Sequence, residues 1–266
     1  MNIPQHYIHA NKDAWNKRTS VHIDSEFYNL KGFMEGESSL NATELALLGD
    51  VKGKKILHLQ CHFGQDSLSL ARMGAKVTGV DLSDDAIAKA RELNNTLGLD
   101  AQFVCCDVYD LPQHLEEQFD LVFTSYGVIG WLPDLQRWGK VVAHFMKPGG
   151  RFILAEFHPV VWMFDNDFTR IQYSYFNTEA IVEQTSGTYT DRNADIHYEE
   201  ISWNHSLDEV FSGLLQNGLV INGFREYDFS HYDCFAHSER TSDGNYIISP
   251  LGNKAPLMYS ITAAKP

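Results

Sequence analysis

The loop Gln60-Cys61-His62-Phe63-Gly64-Gln65-Asp66 follows a short apolar run, Lys55 to Leu59, and the next such run ends in an acid, Asp81, 21 residues after Gln60. A carboxylate at that distance from such a loop can accept hydrogen bonds from both hydroxyls of a ribose. A third run, Ala101 to Cys106, ends in Asp107-Val108. An acid there can accept from an exocyclic amine such as that of adenine, with Val108 flanking the ring. Each acid alone could cap a turn, but two in register with one loop favour a ligand. A dinucleotide fingerprint needs glycine at 60, 62 and 65, where the chain has Gln60, His62 and Gln65, so close approach to a pyrophosphate is unsupported. The residues fit an adenosine ligand that lacks a pyrophosphate.

The elements that must position these residues are short apolar runs alternating with helical periods, the signature of a parallel sheet covered by helices. After the first strand, Asp66 or Ser67 is expected to cap a helix closed by Gly74. After the second strand, Lys76 to Val80, Ser83 caps a helix with Ile87, Ala90, Leu93 and Leu97 on its apolar face and Asp84 and Asp85 at its positive end. A fourth strand is expected over Phe119 to Thr124, a helix from Leu135 to Phe145, and a fifth strand over Arg151 to Glu156. Such units form a doubly wound α/β sheet, and ligands bind beyond the carboxyl ends of its strands. After Pro159 the rhythm breaks, and residues 160–205, rich in Trp, Phe, Tyr and Thr, read as an inserted β-rich lid. Ser206 and Glu209 then form a capping box, and Leu219 to Tyr227 and Leu257 to Ala263 read as the last strands. The long loop between them, 229–256, is flagged as functional or partly structured by its length. The expected organisation is an N-terminal helical extension or cap over 1–50, with one helix near Ser39 to Leu48. The α/β domain follows over 51–159 and 206–266, with the lid between.

Composition narrows the partners. Of 266 residues, 21 are Lys or Arg and 35 are Asp or Glu, a formal charge of −14. That acid excess argues against bulk binding to nucleic acid or to an anionic membrane. No apolar run approaches the ~20 residues of a membrane helix, and Met1 to Asn11 lacks a signal core. Four cysteines, two of them adjacent, make a disulfide framework improbable, so a reduced cytoplasmic chain is the expectation.

Leu57-His58-Leu59-Gln60-Cys61-His62-Phe63-Gly64, followed by Val77-Thr78-Gly79-Val80-Asp81-Leu82-Ser83, resembles the class I S-adenosylmethionine-dependent methyltransferases. Asp107 matches that family's adenine-side acid, and Lys147-Pro148-Gly149-Gly150 the turn before its fifth strand. The family's loop is usually Gly-x-Gly-x-Gly; here only Gly64 matches, and the Leu57 to Cys61 run is similar to the first loop of a bacterial subfamily. The resemblance implies a Rossmann-like, mostly parallel seven-stranded sheet with an antiparallel last strand and S-adenosylmethionine as cofactor. It implies that Gln60, Cys61, His62 and Gly64 back the methionine portion, that Asp81 and Leu82 hold the ribose, and that Asp107 and Val108 hold the adenine. Ser125 would face the sulfonium, and Trp15, in a segment that folds over the cofactor in some relatives, would stack there.

On the acceptor side, Tyr126, Trp131, His158, Trp162, Trp203 and His205 suggest an aromatic-lined pocket for a small molecule. His158, just after the fifth strand, is the best-placed base, with Tyr126 the other candidate catalytic residue. His231, Cys234 and His237 lack a fourth ligand at metal-site spacing, so no metal is expected. The cysteines lack the partners of a nucleophile. Methyl transfer to a small-molecule acceptor by in-line displacement is the first functional reading. A non-catalytic adenosyl-ligand-binding or partner-binding protein on the same fold is the alternative, and a nicotinamide oxidoreductase, without its glycines, ranks third. The oligomeric state is not legible.

Overall fold

The computed structural model of the chain describes residues 4–266; the first three residues of the expected N-terminal extension lie outside the described residues. The core is a seven-stranded sheet in the order β3-β2-β1-β4-β5-β11-β8. Its members are β1 (Lys55–Leu59), β2 (Lys76–Asp81), β3 (Gln102–Cys105), β4 (Phe119–Ser125), β5 (Met146–Phe157), β8 (Val220–Tyr227) and β11 (Met258–Ala264). The strands from β3 to β5 are parallel, and β11 runs antiparallel between β5 and β8. This is the expected doubly wound sheet with an antiparallel last strand.

Both faces of the sheet are buried, which is why its strands read as nearly continuous apolar runs. Alternation sends Ile56, Val77, Phe123 and Ile153 to one face and Leu57, Val122, Phe152 and Leu154 to the other. The first face is covered by α3 (Ala42–Leu48), α4 (Gln65–Arg72) and α5 (Asp84–Thr96), and the second by α6 (Leu135–Phe145) and α7 (Leu207–Leu215). Ser83 caps α5 by accepting from the Ala86 N–H, and Ser206 and Glu209 form the capping box of α7. The last two helices touch through glycines: a Cβ added to Gly139 of α6 would lie 2.0 Å from the Gly213 carbonyl oxygen of α7.

Two differences from the sequence expectation matter for the site. Residues 4–50 hold three helices rather than one: α1 (Gln5–Ile23), α2 (Leu30–Glu35) and α3. Asp66 does not cap α4. Gly64 stands at that cap in a left-handed conformation (φ 83°), which frees the Asp66 carboxylate in the first turn. The long loop, expected to be functional or partly structured, carries its own hairpin, β9 (Ser238–Arg240) with β10 (Tyr246–Ile248). In the 160–205 segment, β6 (Ile181–Ser186) and β7 (His197–Ser202) form an antiparallel pair separate from the main sheet. Asn11 of α1 grips β7 on both sides, its amide donating to the Ile201 carbonyl (2.8 Å) and accepting from the Ile201 N–H (2.9 Å). No helix among the described residues is long and apolar enough to cross a membrane.

Candidate functional site

A cavity of about 1070 Å³ opens at the carboxyl ends of the parallel strands, roofed by α1 and the β6–β7 pair. The sheet brings the predicted residues to it by a simple rule: each parallel strand delivers its last residue to the same edge. Gln60, Cys61, His62 and Gly64 line the cavity from the end of β1, Asp81 and Leu82 from β2, and Asp107 and Val108 from β3. Ser125 and Tyr126 line it from β4, and Trp15 from α1 above.

The loop after β1 holds a glycine-type backbone without the glycines. Gln60 (φ 56°) and His62 (φ 50°) are left-handed, as is Gly64 (φ 83°). Side-chain residues there cost of order 1 kcal/mol each and persist only where the surroundings hold them. Gln60 donates to the Val128 carbonyl (2.7 Å), and His62 lies 2.9 Å from His22 Nδ1 on α1. His22 in turn reaches the Thr188 hydroxyl (2.6 Å), on the segment that joins β6 to β7. Burial pushes both imidazoles down, His62 to about 3, so they are neutral at ordinary pH. Gly64 is required for a different reason: a Cβ there would meet the Phe103 ring at 2.8 Å and the Ala90 methyl at 2.9 Å.

Asp81 accepts from the His62 N–H (2.8 Å) and the Ser83 N–H (2.9 Å), tying the first loop to the second. Asp107 accepts from the Tyr109 N–H (3.0 Å) at the start of a 3-10 turn, Val108–Gln113. Burial raises both carboxyls, and the backbone N–H groups pull them back toward the ionised form. Each therefore fulfils the capping role and still faces the cavity.

Arg18 and Glu200, which sequence reasoning missed, form a buried ion pair under the roof, with the guanidinium 4.8 to 5.1 Å from the centroids of Trp15, Trp131 and Tyr198. The signal that could have found Arg18 is the spacing Asn11, Ala14, Arg18, His22, one helical face of mostly polar residues. Asp66 was also missed as a site residue. It accepts from Ser39 Oγ (2.6 Å) and Ser125 Oγ (3.4 Å), and burial, with Glu44 nearby, pushes its carboxyl up to about 7.

Of the aromatic acceptor set, Tyr126, Trp131, Trp162, Trp203 and His205 line the cavity, and His158 does not. Its backbone N–H continues the pairing to the Leu257 carbonyl beyond the end of β11, and its ring turns away to within 3.1 Å of Glu226 on β8. The position expected to hold a base thus belongs to the sheet's far edge. Tyr126 is left-handed (φ 39°) and donates its hydroxyl to buried Glu44 (2.9 Å); burial raises its pKa well above the ordinary tyrosine value. His231 bonds Thr43 and Asn245, and His237 lies 3.6 Å from Asp167.

Asp66 has a measurable signature. Folding raises its pKa from the usual carboxylate range to about 7, so between pH 4 and pH 7 the folded chain holds a proton the unfolded chain releases. Its burial therefore subtracts stability as pH rises through that window, and subtracts all of it above pH 7. Asp66→Asn is expected to raise stability by about 2 kcal/mol at pH 8 and to change it little at pH 4. Thermal melts at the two pH values check this; an equal effect at both would contradict it.

Residues 56–150 match a family model described as a methyltransferase domain. A ubiquinone biosynthesis O-methyltransferase of Coxiella burnetii is 31% identical over 136 residues, 50% of this chain and 57% of that protein. An uncharacterized methyltransferase of Synechocystis is 37% identical over 131 residues, 48% of this chain and 59% of that protein. The matched region thus spans somewhat more than half the length of these curated relatives. Among solved structures, the DhpI complex with S-adenosylhomocysteine superposes with a TM-score of 0.58 at 16% identity, covering 99% of this chain and 100% of that one. An S-adenosylmethionine-dependent methyltransferase from Mesorhizobium loti gives 0.55 at 18% identity, covering 87% and 100%. At those identities the likeness speaks to the fold. Residues 56–150 are thus similar to the methyltransferase-domain family, and the fold of the sheet that carries them is shared with solved S-adenosylmethionine-dependent methyltransferases.

Proposed function

We propose that the protein transfers a methyl group from S-adenosylmethionine to a small-molecule acceptor by in-line displacement. One observation carries the reading: the β1 loop, the two strand-tip acids and Ser125 all face a single roofed cavity. Its volume, about 1070 Å³, leaves space for an acceptor beside an adenosyl ligand. The loop fits such a ligand. Its left-handed turns at Gln60, His62 and Gly64 keep the backbone path that glycines usually provide, and Gln60 Oε1 and His62 Nδ1 are sealed from solvent without a protein partner. Two polar atoms in that state suit the charged ends of a methionine tail.

When bound, S-adenosylmethionine supplies a methyl group already activated on a sulfonium. The chain's own work is to hold and exclude. Asp81 accepts from the ribose hydroxyls, and Asp107 accepts from the adenine amine with Val108 against the ring. The roof of α1 and the β6–β7 pair, latched by Asn11 and by Arg18–Glu200, keeps water from the reacting atoms.

A non-catalytic adenosyl-binding protein is favoured by one observation, the replacement of two loop glycines by Gln60 and His62. Incubation with methyl-labelled S-adenosylmethionine and a metabolite extract separates the two. Label passing to a compound below about 1 kDa is expected; tight S-adenosylhomocysteine binding with no label ever leaving the donor would establish the non-catalytic reading.

A further inference from the structure

The cavity wall on the α4 side has a composition that the donor does not explain. Of the carboxylates that line the cavity, Asp81 and Glu156 each accept from two or more backbone N–H groups, Asp107 accepts from one, Glu200 is paired with Arg18, and Glu183 accepts from the Tyr173 hydroxyl. Asp66 meets only two hydroxyls, Ser39 and Ser125, and no cation. A buried carboxylate with that little compensation is costly unless a positive partner joins it. Around it stand tyrosine rings whose hydroxyls are already engaged. Tyr126 donates to Glu44 and packs on Tyr232 with ring centroids 5.1 Å apart. Tyr232 accepts from Asn41 (2.8 Å) and stacks on Phe27 (5.5 Å), and Tyr28 shares a hydrogen bond with Tyr189. All three tyrosines line the same cavity as Asp66, and Tyr126 directly follows Ser125, whose hydroxyl Asp66 holds. With their hydroxyls held, these side chains contribute aromatic rings to the cavity lining, and aromatic rings attract cations.

The rest of the cavity has the same sign. Nine of its lining residues are Asp or Glu and two are arginine, Arg18 being paired, and the whole chain carries −14. Such a chamber concentrates cations and disfavours carboxylates and phenolates.

We infer that the acceptor is an amine, held as its ammonium form by Asp66 within the Tyr28, Tyr126 and Tyr232 rings. The inference rests on the methyltransferase reading and names the acceptor class for it. Asp66 also has a chemical task there. An ammonium has no lone pair to receive a methyl group, so one N–H bond must break; the proton passes to a carboxylate oxygen of Asp66 and the electron pair stays on nitrogen.

The test uses protein loaded with S-adenosylhomocysteine and three probes that share a ring and chain: 2-phenylethylamine, 2-phenylethanol and phenylacetate. Calorimetry at pH 7.5 is expected to show the amine binding at least tenfold more tightly than the other two. Asp66→Asn should abolish that preference while leaving affinity for S-adenosylhomocysteine within about twofold, which also reports that the variant is folded. Equal or tighter binding of the alcohol or the acid overturns the inference. So does an amine affinity unmoved by Asp66→Asn, a joint loss of S-adenosylhomocysteine binding in that variant, or the failure of all three probes to bind the loaded wild-type protein. Failure of the wild type to bind S-adenosylhomocysteine at all would instead remove the methyltransferase reading beneath it.

Discussion

Asp81→Ala is expected to weaken S-adenosylhomocysteine binding about 100-fold. Each oxygen of Asp81 already accepts one backbone N–H, from His62 and from Ser83, which leaves each with a further lone pair, and the residue lines the cavity. Hydrogen bonds to a charged acceptor contribute about 1.5–3 kcal/mol each, so losing two to a ribose corresponds to a hundredfold or more. The substitution also releases the His62 N–H, and with it the tie that holds a left-handed residue in the first loop. Asp81→Asn keeps the shape and one acceptor oxygen, so it should fall between the wild type and the alanine variant. Calorimetric titration checks the series; a loss below about threefold for Asp81→Ala would show that the carboxylate does not hold the sugar.

Gly139→Ala is expected to destabilise the fold by about 3 kcal/mol or more, a fall in melting temperature of roughly 6–12 °C. The added methyl would lie 2.0 Å from the Gly213 carbonyl oxygen and 2.7 Å from its carbon, so α6 and α7 must separate. The carbonyl cannot simply swing aside, because it accepts from the Asn217 amide at 2.7 Å. Separation loosens Trp138 and Val142 against Val210 and Leu214, all fully buried. Lys140→Ala, one position on and exposed, should stay within about 0.5 kcal/mol of the wild type. A Gly139→Ala protein melting with the wild type would mean that the two helices do not cross in contact.

What was legible in the sequence follows from how each element is stabilised. The sheet strands are buried on both faces and therefore apolar throughout, and Ser83, Ser206 and Glu209 announce their helices through side-chain caps. The β1 loop, Asp81 and Asp107 were readable because strand order places strand ends together whatever lies between them. Helix α1 was not, since its buried face consists of Asn11, Ala14, Arg18, Thr19 and His22 and hydrophobic periodicity cannot see a polar face. Those residues are buried against a segment distant in sequence, where β7 supplies the partners of Asn11 and Arg18. Asp66 was in plain view but read as a cap, because nothing local reveals that Gly64 takes that position. His158 illustrates the converse. Nearness to a strand end is visible in sequence, but the direction of a side chain past the last paired residue depends on neighbouring strands, here β8 and β11.

The most direct test is a crystal structure with S-adenosylhomocysteine bound. The predicted result places both ribose hydroxyls within hydrogen-bonding distance of Asp81, the adenine amine on Asp107 with Val108 against the ring, and the sulfur opening toward Ser125. A nucleoside seated elsewhere, or both carboxylates more than about 4 Å from any ligand atom, would contradict the assignment of the cavity.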